Sequence, residues 1–160
     1  MQILAVDLSL NCTGWAVLEC GFGKITLVDK GIINNKPIPS KDLGKKLEHI
    51  QTQLNIILQT YKVDCIVKEA SFNTGRITST QRTFQAFGVM LLTVYKLGYY
   101  SICELAATTV KKLITGSGKA DKSEVKGKLV DFVGEQIYKT EDESDAVALG
   151  IAYLIKERYI

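Results

Sequence analysis

Four acidic residues stand where an acid is costly. Asp7 lies inside the apolar run Ile3-Leu4-Ala5-Val6-Asp7-Leu8, and Glu69 closes a second run, Cys65-Ile66-Val67-Lys68-Glu69. Strand interiors disfavour Asp, and an unpaired charge is expensive to bury. Asp142 and Asp145 are three residues apart at the start of the last apolar segment, so on a helix they share a face. Singly, each has an ordinary explanation: a strand Asp can bond to a turn, and an acid pair suits a helix N-terminus. Jointly, they form a set of hard oxygen donors. Four converging carboxylates do not all stay ionised without a cation, and such donors suit Mg²⁺ or Mn²⁺. Two ions about 4 Å apart hold the attacking and leaving oxygens of an in-line phosphoryl displacement. Asp7, Glu69, Asp142 and Asp145 are therefore the expected metal ligands and catalytic acids.

The cations are just as unevenly spread. Leu105–Lys128 contains Lys111, Lys112, Lys119, Lys122, Lys126 and Lys128 against two acids, Asp121 and Glu124. Asp131–Asp145 contains six acids against Lys139. The formal net charge of +3 over 160 residues is thus the small remainder of two opposed local excesses. A basic segment beside an acidic pocket binds a polyanion through its phosphates while metals fill the pocket; a solvated helix face is the plainer alternative. Thr115-Gly116-Ser117-Gly118 interrupts the basic segment, and Gly-rich turns let backbone N–H groups approach phosphate. Beyond Glu69, Ser71-Phe72-Asn73-Thr74-Gly75-Arg76 offers an aromatic that either stacks on bases or tucks into the core. Arg76 and Arg82 either bind phosphate or are surface charges. The candidate DNA contacts are Phe72, Arg76, Arg82, Lys111, Lys112, Lys119 and Lys122.

These residues need elements to position them. Gln2–Ser9, Thr13–Glu19 and Lys24–Ile33 read as strands joined by Gly-containing turns, hence antiparallel hairpins. Leu43, Leu47, Ile50, Leu54 and Ile57 recur at helical spacing, with Ser40 as the expected N-cap and Asp42 in the first turn. Val63–Lys68 predicts a fourth strand, 71–80 a loop, Phe84, Phe87, Leu91 and Val94 a second helix stripe, and Tyr99–Glu104 a fifth strand. Helices follow at about Thr108–Ile114, Lys122–Val133 and Ala146–Lys156, the last apolar on nearly every side and so buried. Three hairpin strands followed by βαβ units make a five-stranded mixed sheet with helices on both faces. This is the order of ribonuclease-H-like α/β folds, in a single domain over residues 1–160. With strands one and four adjacent and parallel, Asp7 comes beside Glu69.

Composition sets the class. Apolar content is 46% and charged content 23%, which excludes a disordered chain. No stretch free of charged residues exceeds 13 residues, against the 20 or so that a spanning helix needs, so no membrane role is expected. The start lacks a basic region and carries Asp7, so a secretory signal is not expected. Cys12, Cys20, Cys65 and Cys103 contain no CxxC pair and His49 is the only histidine, which leaves buried inert thiols in a reducing cytoplasm.

Together these features resemble the RuvC-type Holliday junction resolvases. ILAVDLSLNCTGWAV resembles the first strand with its acid and following Thr-Gly. Lys68-Glu69-Ala70-Ser71-Phe72 resembles the second-acid strand and the aromatic beyond it. ATTVKKLITGSGKADKSEV follows the basic region, and DESDAVALGIAYL the last acid motif. The resemblance implies a homodimer that binds four-way and other branched DNA and makes paired nicks with Mg²⁺ or Mn²⁺, needing no small-molecule cofactor. It implies catalytic roles for Asp7, Glu69, Asp142 and Asp145, a place for Lys122 near the scissile phosphate, a DNA contact for Lys111, and a place for Phe72 at the junction centre. Many bacterial members carry His where this chain has Asp142; the all-carboxylate set resembles the phage branch, and a phage protein would act in the host cytoplasm.

Two other classes fit parts of the pattern. An actin-like phosphotransferase shares the sheet, but Leu8-Ser9-Leu10-Asn11 lacks its glycine-rich phosphate turn, and 160 residues leave no room for its second domain. A branched-DNA or single-strand-binding protein that has lost catalysis would not be expected to keep all four acids.

Overall fold

The first strand sets the geometry of everything that follows. In β1 (Gln2–Asp7), Ile3, Leu4, Ala5 and Val6 are all fully buried, so both faces of this strand are covered. A strand buried on both sides must be central to its sheet. It is: the computed structural model, which describes residues 1–70 and 77–160, has one five-stranded sheet in the order β3-β2-β1-β4-β5. β2 (Cys12–Gly21) pairs antiparallel with β1, and β3 (Lys24–Asn34) antiparallel with β2. Phe22 (φ 51°) and Gly23 (φ 73°) make the tight turn between β2 and β3. β4 (Cys65–Glu69) and β5 (Cys103–Leu105) join in parallel. The mixed α/β sheet matches the expectation, with β5 cut to three residues because Tyr99 to Ile102 leave the ladder.

Each sheet face has its own core. Leu4, Val6, Val17, Ile33 and Ile66 pack with α1 (Leu43–Thr60) and α2 (Ile77–Lys96). Ile3, Ala5, Ala16, Leu18 and Val67 pack with α3 (Ala107–Thr115), α4 (Lys122–Lys128) and α6 (Glu141–Lys156). The single expected helix over Lys122–Val133 is two, α4 and α5 (Val130–Val133). The ladder changes pitch at the buried Leu129, whose N–H reaches back three residues to Lys126. Two other expectations change. Asp42, not Ser40, caps α1, without a side-chain cap bond. In α2 the buried stripe is Ala86, Met90, Thr93 and Val94, with Phe87 half-buried against Lys68, while Phe84 and Leu91 are exposed: the face turned to the sheet is rotated from the expected stripe.

α6 lies directly on the strands and is buried without interruption from Ala146 to Leu154. Gly150 permits that closeness. A Cβ there would stand 2.4 Å from Leu18 Cδ1 and 3.2 Å from Ala5 Cβ. Gly150→Ala is expected to destabilise the protein by roughly 1–3 kcal/mol through overpacking, seen as a lower Tm in thermal denaturation. An unchanged Tm would show that α6 can lift off the sheet without penalty.

Candidate active site

Strand alternation decides which way Asp7 points. Ile3 and Ala5 face the α6 side, so Asp7, two residues on, continues that series. In β4, Cys65 and Val67 face the same side, and Glu69 continues theirs. The parallel register pairs Ile3 with Cys65 and Ala5 with Val67, so Asp7 and Glu69 come side by side at the carboxyl ends of two adjacent strands. α6 delivers the other two acids to the same edge. Its N-cap is Thr140, whose hydroxyl accepts from Glu143 N–H, so the helix begins at Glu141 rather than at the expected Ala146, and Asp142 and Asp145 share its first turns as expected. Glu143, between them, points elsewhere: it is buried and accepts from Lys139 N–H at 2.8 Å. The backbone of α6 touches β2 here. A Cβ on Gly14 would lie 2.0 Å from the Asp142 carbonyl oxygen.

A capping box turns Lys122 towards the acids. Asp121 accepts from Glu124 N–H while Glu124 accepts from Asp121 N–H, and those bonds hold the Asp121 carboxyl below its usual range. In the first turn of α4, Lys122 Nζ then reaches Asp145 Oδ2 at 2.6 Å and Glu141 at 3.8 Å. A cavity of about 270 Å³ is lined by Asp7, Glu69, Asp145, Lys111 and Lys122, with Ala107, Val110, Val125 and Ala148 as its apolar wall.

The charges in this cavity act on one another. Burial first, and then the nearby Glu69, Asp145 and Asp142, push Asp7 from an ordinary 3.8 up to about 7, with Lys122 opposing. Burial and Asp145 likewise raise Glu69. The Asp145 hydrogen bond raises Lys122. Oxygen-rich, mutually repelling and partly buried, the donor set fits a hard divalent cation. As the side chains stand, no group of three or more His, Cys, Asp or Glu among the described residues is drawn in to ion-holding distance. Lys122 occupies Asp145, and Asp142 is held elsewhere.

That holder is a residue the sequence reading set aside. Cys12 donates its S–H to Asp142 Oδ2 at 3.0 Å, and burial together with this bond pushes the thiol up to about 11. Cys12 is a buried, free thiol as expected, yet it orients one of the acids. Its only sequence signal is its place two residues before Gly14 on the same strand face. Of the expected DNA contacts, Lys111 lines the cavity, while Lys112 and Lys119 are exposed away from it. Arg82 is exposed on α2. Phe72 and Arg76 lie outside the described residues. The Thr115-Gly116-Ser117-Gly118 turn is not an open phosphate cradle. The N–H groups of Gly116, Ser117, Lys119 and Ala120 bond to Lys112 O, Thr115 Oγ1, Ser117 Oγ and Ser117 O.

The raised Asp7 carries a pH consequence. Between about pH 4 and pH 7 the unfolded chain has released the Asp7 proton while the folded chain keeps it, so stability falls as pH rises through that window. Asp7→Asn removes the penalty. In metal-free buffer its unfolding free energy should exceed the wild-type value at pH 8 by at most roughly 4 kcal/mol, read as a higher Tm, and the two should converge near pH 4. A gap independent of pH would show that Asp7 is not strained by its neighbours.

This chain is similar to known proteins along nearly its whole length. It is 36% identical over 159 residues to crossover junction endodeoxyribonuclease RuvC of Ehrlichia ruminantium (strain Welgevonden), covering 96% of each chain. Against the RuvC of Xanthobacter autotrophicus it is 29% identical over 153 residues, covering 96% of this chain and 89% of that one. The solved structure of T. thermophilus RuvC in complex with Holliday junction substrate matches with a TM-score of 0.88 at 18% identity, covering 99% and 95% of the two chains. At that identity the likeness bears on the fold, the expected ribonuclease-H-like one. These relatives are bacterial, so the phage-branch placement suggested by Asp142 gains no support from them. A family model described as Crossover junction endodeoxyribonuclease RuvC matches residues 3–153, from the first strand into the last helix, and the chain belongs to that family.

Proposed function

We propose that this protein resolves Holliday junctions, and cuts other branched DNA, by divalent-metal-dependent hydrolysis of a phosphodiester. The observation that carries the reading is the convergence of Asp7, Glu69, Asp142 and Asp145 on one sheet edge, where burial first and then the neighbouring carboxylates push Asp7 up to about 7. The names of the related chains and the junction bound in a structural neighbour support it.

Asp7, Glu69, Asp142 and Asp145 would hold Mg²⁺ or Mn²⁺, most simply as a pair, which when bound acidifies water and offsets charge on the phosphoryl oxygens. Asp7, on the central strand of the sheet, would be one of the carboxylates that hold the metal. Lys122 Nζ, held over the cavity by α4, binds a non-bridging oxygen and opposes the charge that grows there in the transition state. Lys111 adds a second cation to the same cavity. Lys112 and Lys119 meet the DNA further out, and Arg82, Phe72 and Arg76 contact it as well. Asp7→Asn should bind a labelled four-way junction normally yet fail to nick it, EDTA should stop the wild-type protein, and Lys122→Met should slow nicking by about 10²–10³-fold. Wild-type-like nicking by Asp7→Asn in Mg²⁺ would sink the assignment.

Two symmetric nicks need two related active sites, which a C₂ homodimer supplies. The outer side of α2 supports such a pairing. Leu91, Leu92 and Tyr95 are exposed there, with Tyr100 beside them, and they line a groove of about 390 Å³. Leu92→Asp should convert a dimer to a monomer in analytical ultracentrifugation without lowering Tm by more than a few degrees. A dimer that persists would place the interface elsewhere.

A further inference from the structure

We infer that a second anion site lies beside the acids: a cleft between the β1–β2 turn and α2 that takes a neighbouring backbone phosphate of the bound strand. The inference rests on the nuclease reading above and gives that site a positioning element outside the acid cavity.

The cleft has a volume of about 380 Å³. Residues 9–11 form one side, and Thr78, Ser79, Arg82 and Thr83 of α2 form the other. Among the described residues, no carboxylate lines it. Arg82 is exposed and makes no ion pair with any described residue. Its guanidinium is therefore available as a fork of donors, the arrangement suited to a phosphate.

Asn11 is set for the same role by a buried network. Lys46 is only 3% exposed, and its Nζ donates to Asn11 Oδ1 at 2.6 Å. An ammonium has donors and no acceptor, so the atom facing it must be the amide oxygen. The –NH₂ of Asn11, which lines the cleft, is thereby left with both hydrogens to donate. The turn itself is pinned. Asn35, fully buried, donates its N–H to Asn11 O at 2.9 Å and its side-chain amide to Leu10 O at 2.9 Å and Lys46 O at 3.0 Å. His49 Nδ1 bonds to Asn35 Oδ1 at 2.6 Å. A buried lysine, a buried asparagine and the single histidine thus hold one exposed amide in one orientation. An amide that only filled a turn would not need this support.

An amide, hydroxyls able to donate, the exposed charge of Arg82 and a second positive charge held behind the amide by Lys46 select an anion. The source of that anion follows from position. Ser9 is two residues from Asp7, so their Cα atoms are at most roughly 7 Å apart. A strand with one phosphate over the acids has its neighbour within reach of Asn11 and Arg82.

The test measures junction affinity in EDTA, using four-way junctions that carry one neutral methylphosphonate at successive positions around the nick site. On unmodified DNA, Arg82→Gln should weaken binding roughly fivefold to tenfold and make the slope of log K against log salt shallower by about 1. Asn11→Asp, which keeps its partner Lys46 and so keeps the turn, should weaken binding at least as much. At one methylphosphonate position the penalty of both variants should vanish. An equal penalty at every position, or an unchanged salt slope, overturns the site. So does retention of inorganic phosphate by the wild type but not by Arg82→Gln with no junction phosphate coupled, because the cleft would then take a free anion. Wild-type nicking, measured separately in Mg²⁺, distinguishes the two readings. If it is absent, the nuclease assignment fails; if it is present with no coupled phosphate, only the cleft does.

Discussion

Like charges held together in a low-dielectric setting repel, and the parallel register of β1 with β4 imposes this on Asp7 and Glu69. Neither side chain can turn away, because each continues a strand series whose earlier members are locked into the α6-side core. The repulsion is offset in the protein itself by Lys122, whose ammonium sits on Asp145. The site is thus built around a positive charge. The chain supplies one on a solvent-exposed arm, and a bound metal ion would supply a stronger one. The rest of the structure holds the acids in place against their own repulsion.

α6 bears most of that burden. It is the most continuously buried helix among the described residues, and it carries two of the acids at its first turns. Two glycines let backbone meet backbone or sheet: Gly150 over Ala5 and Leu18, and Gly14 beneath Asp142. Contacts this close leave little room for the helix to slide. Cys12 then fixes the carboxylate of Asp142 itself. Acids set on packed strands and a packed helix are held to a tighter geometry than acids on loops.

The two sheet faces divide the work. The α3, α4 and α6 side holds the acids and the lysines that answer them. The α1 and α2 side supplies the buried Lys46, Asn35 and His49 behind the β1–β2 turn, and it leaves an apolar stripe on α2 open. Lys68 shows the same separation within one strand. It neighbours Glu69 in the chain but faces the other way, fully buried, with its Nζ on Glu69 O at 2.9 Å and 4.2 Å from the Phe87 ring centre.

Much of the fold was legible in residue order alone. The alternation and turns of the first strands, the helical spacing from Leu43 to Ile57, and the nearly all-apolar run after Asp145 each correspond to a real element, because local pattern and burial agree there. The acids were legible for the opposite reason: Asp7 and Glu69 break an apolar pattern, and a break in a buried strand is visible in one dimension. Other features depended on contacts between distant segments. Which stripe of α2 faces the sheet, the break at Leu129, and the shortening of β5 follow from packing that no local window contains. Cys12 on Asp142 spans 130 residues, and Asn11 on Lys46 spans 35. The Gly116 turn looked like a phosphate cradle until its N–H groups were found bonded within the turn. The sequence by itself determined which residue types could do the chemistry and that Asp7 and Glu69 each lie in or at the end of an apolar strand, since strand period is a local property, whereas the β1–β4 pairing that sets them side by side is not. Only the tertiary structure decided which groups orient those acids, because hydrogen bonds between segments form only after the sheet and α6 have packed.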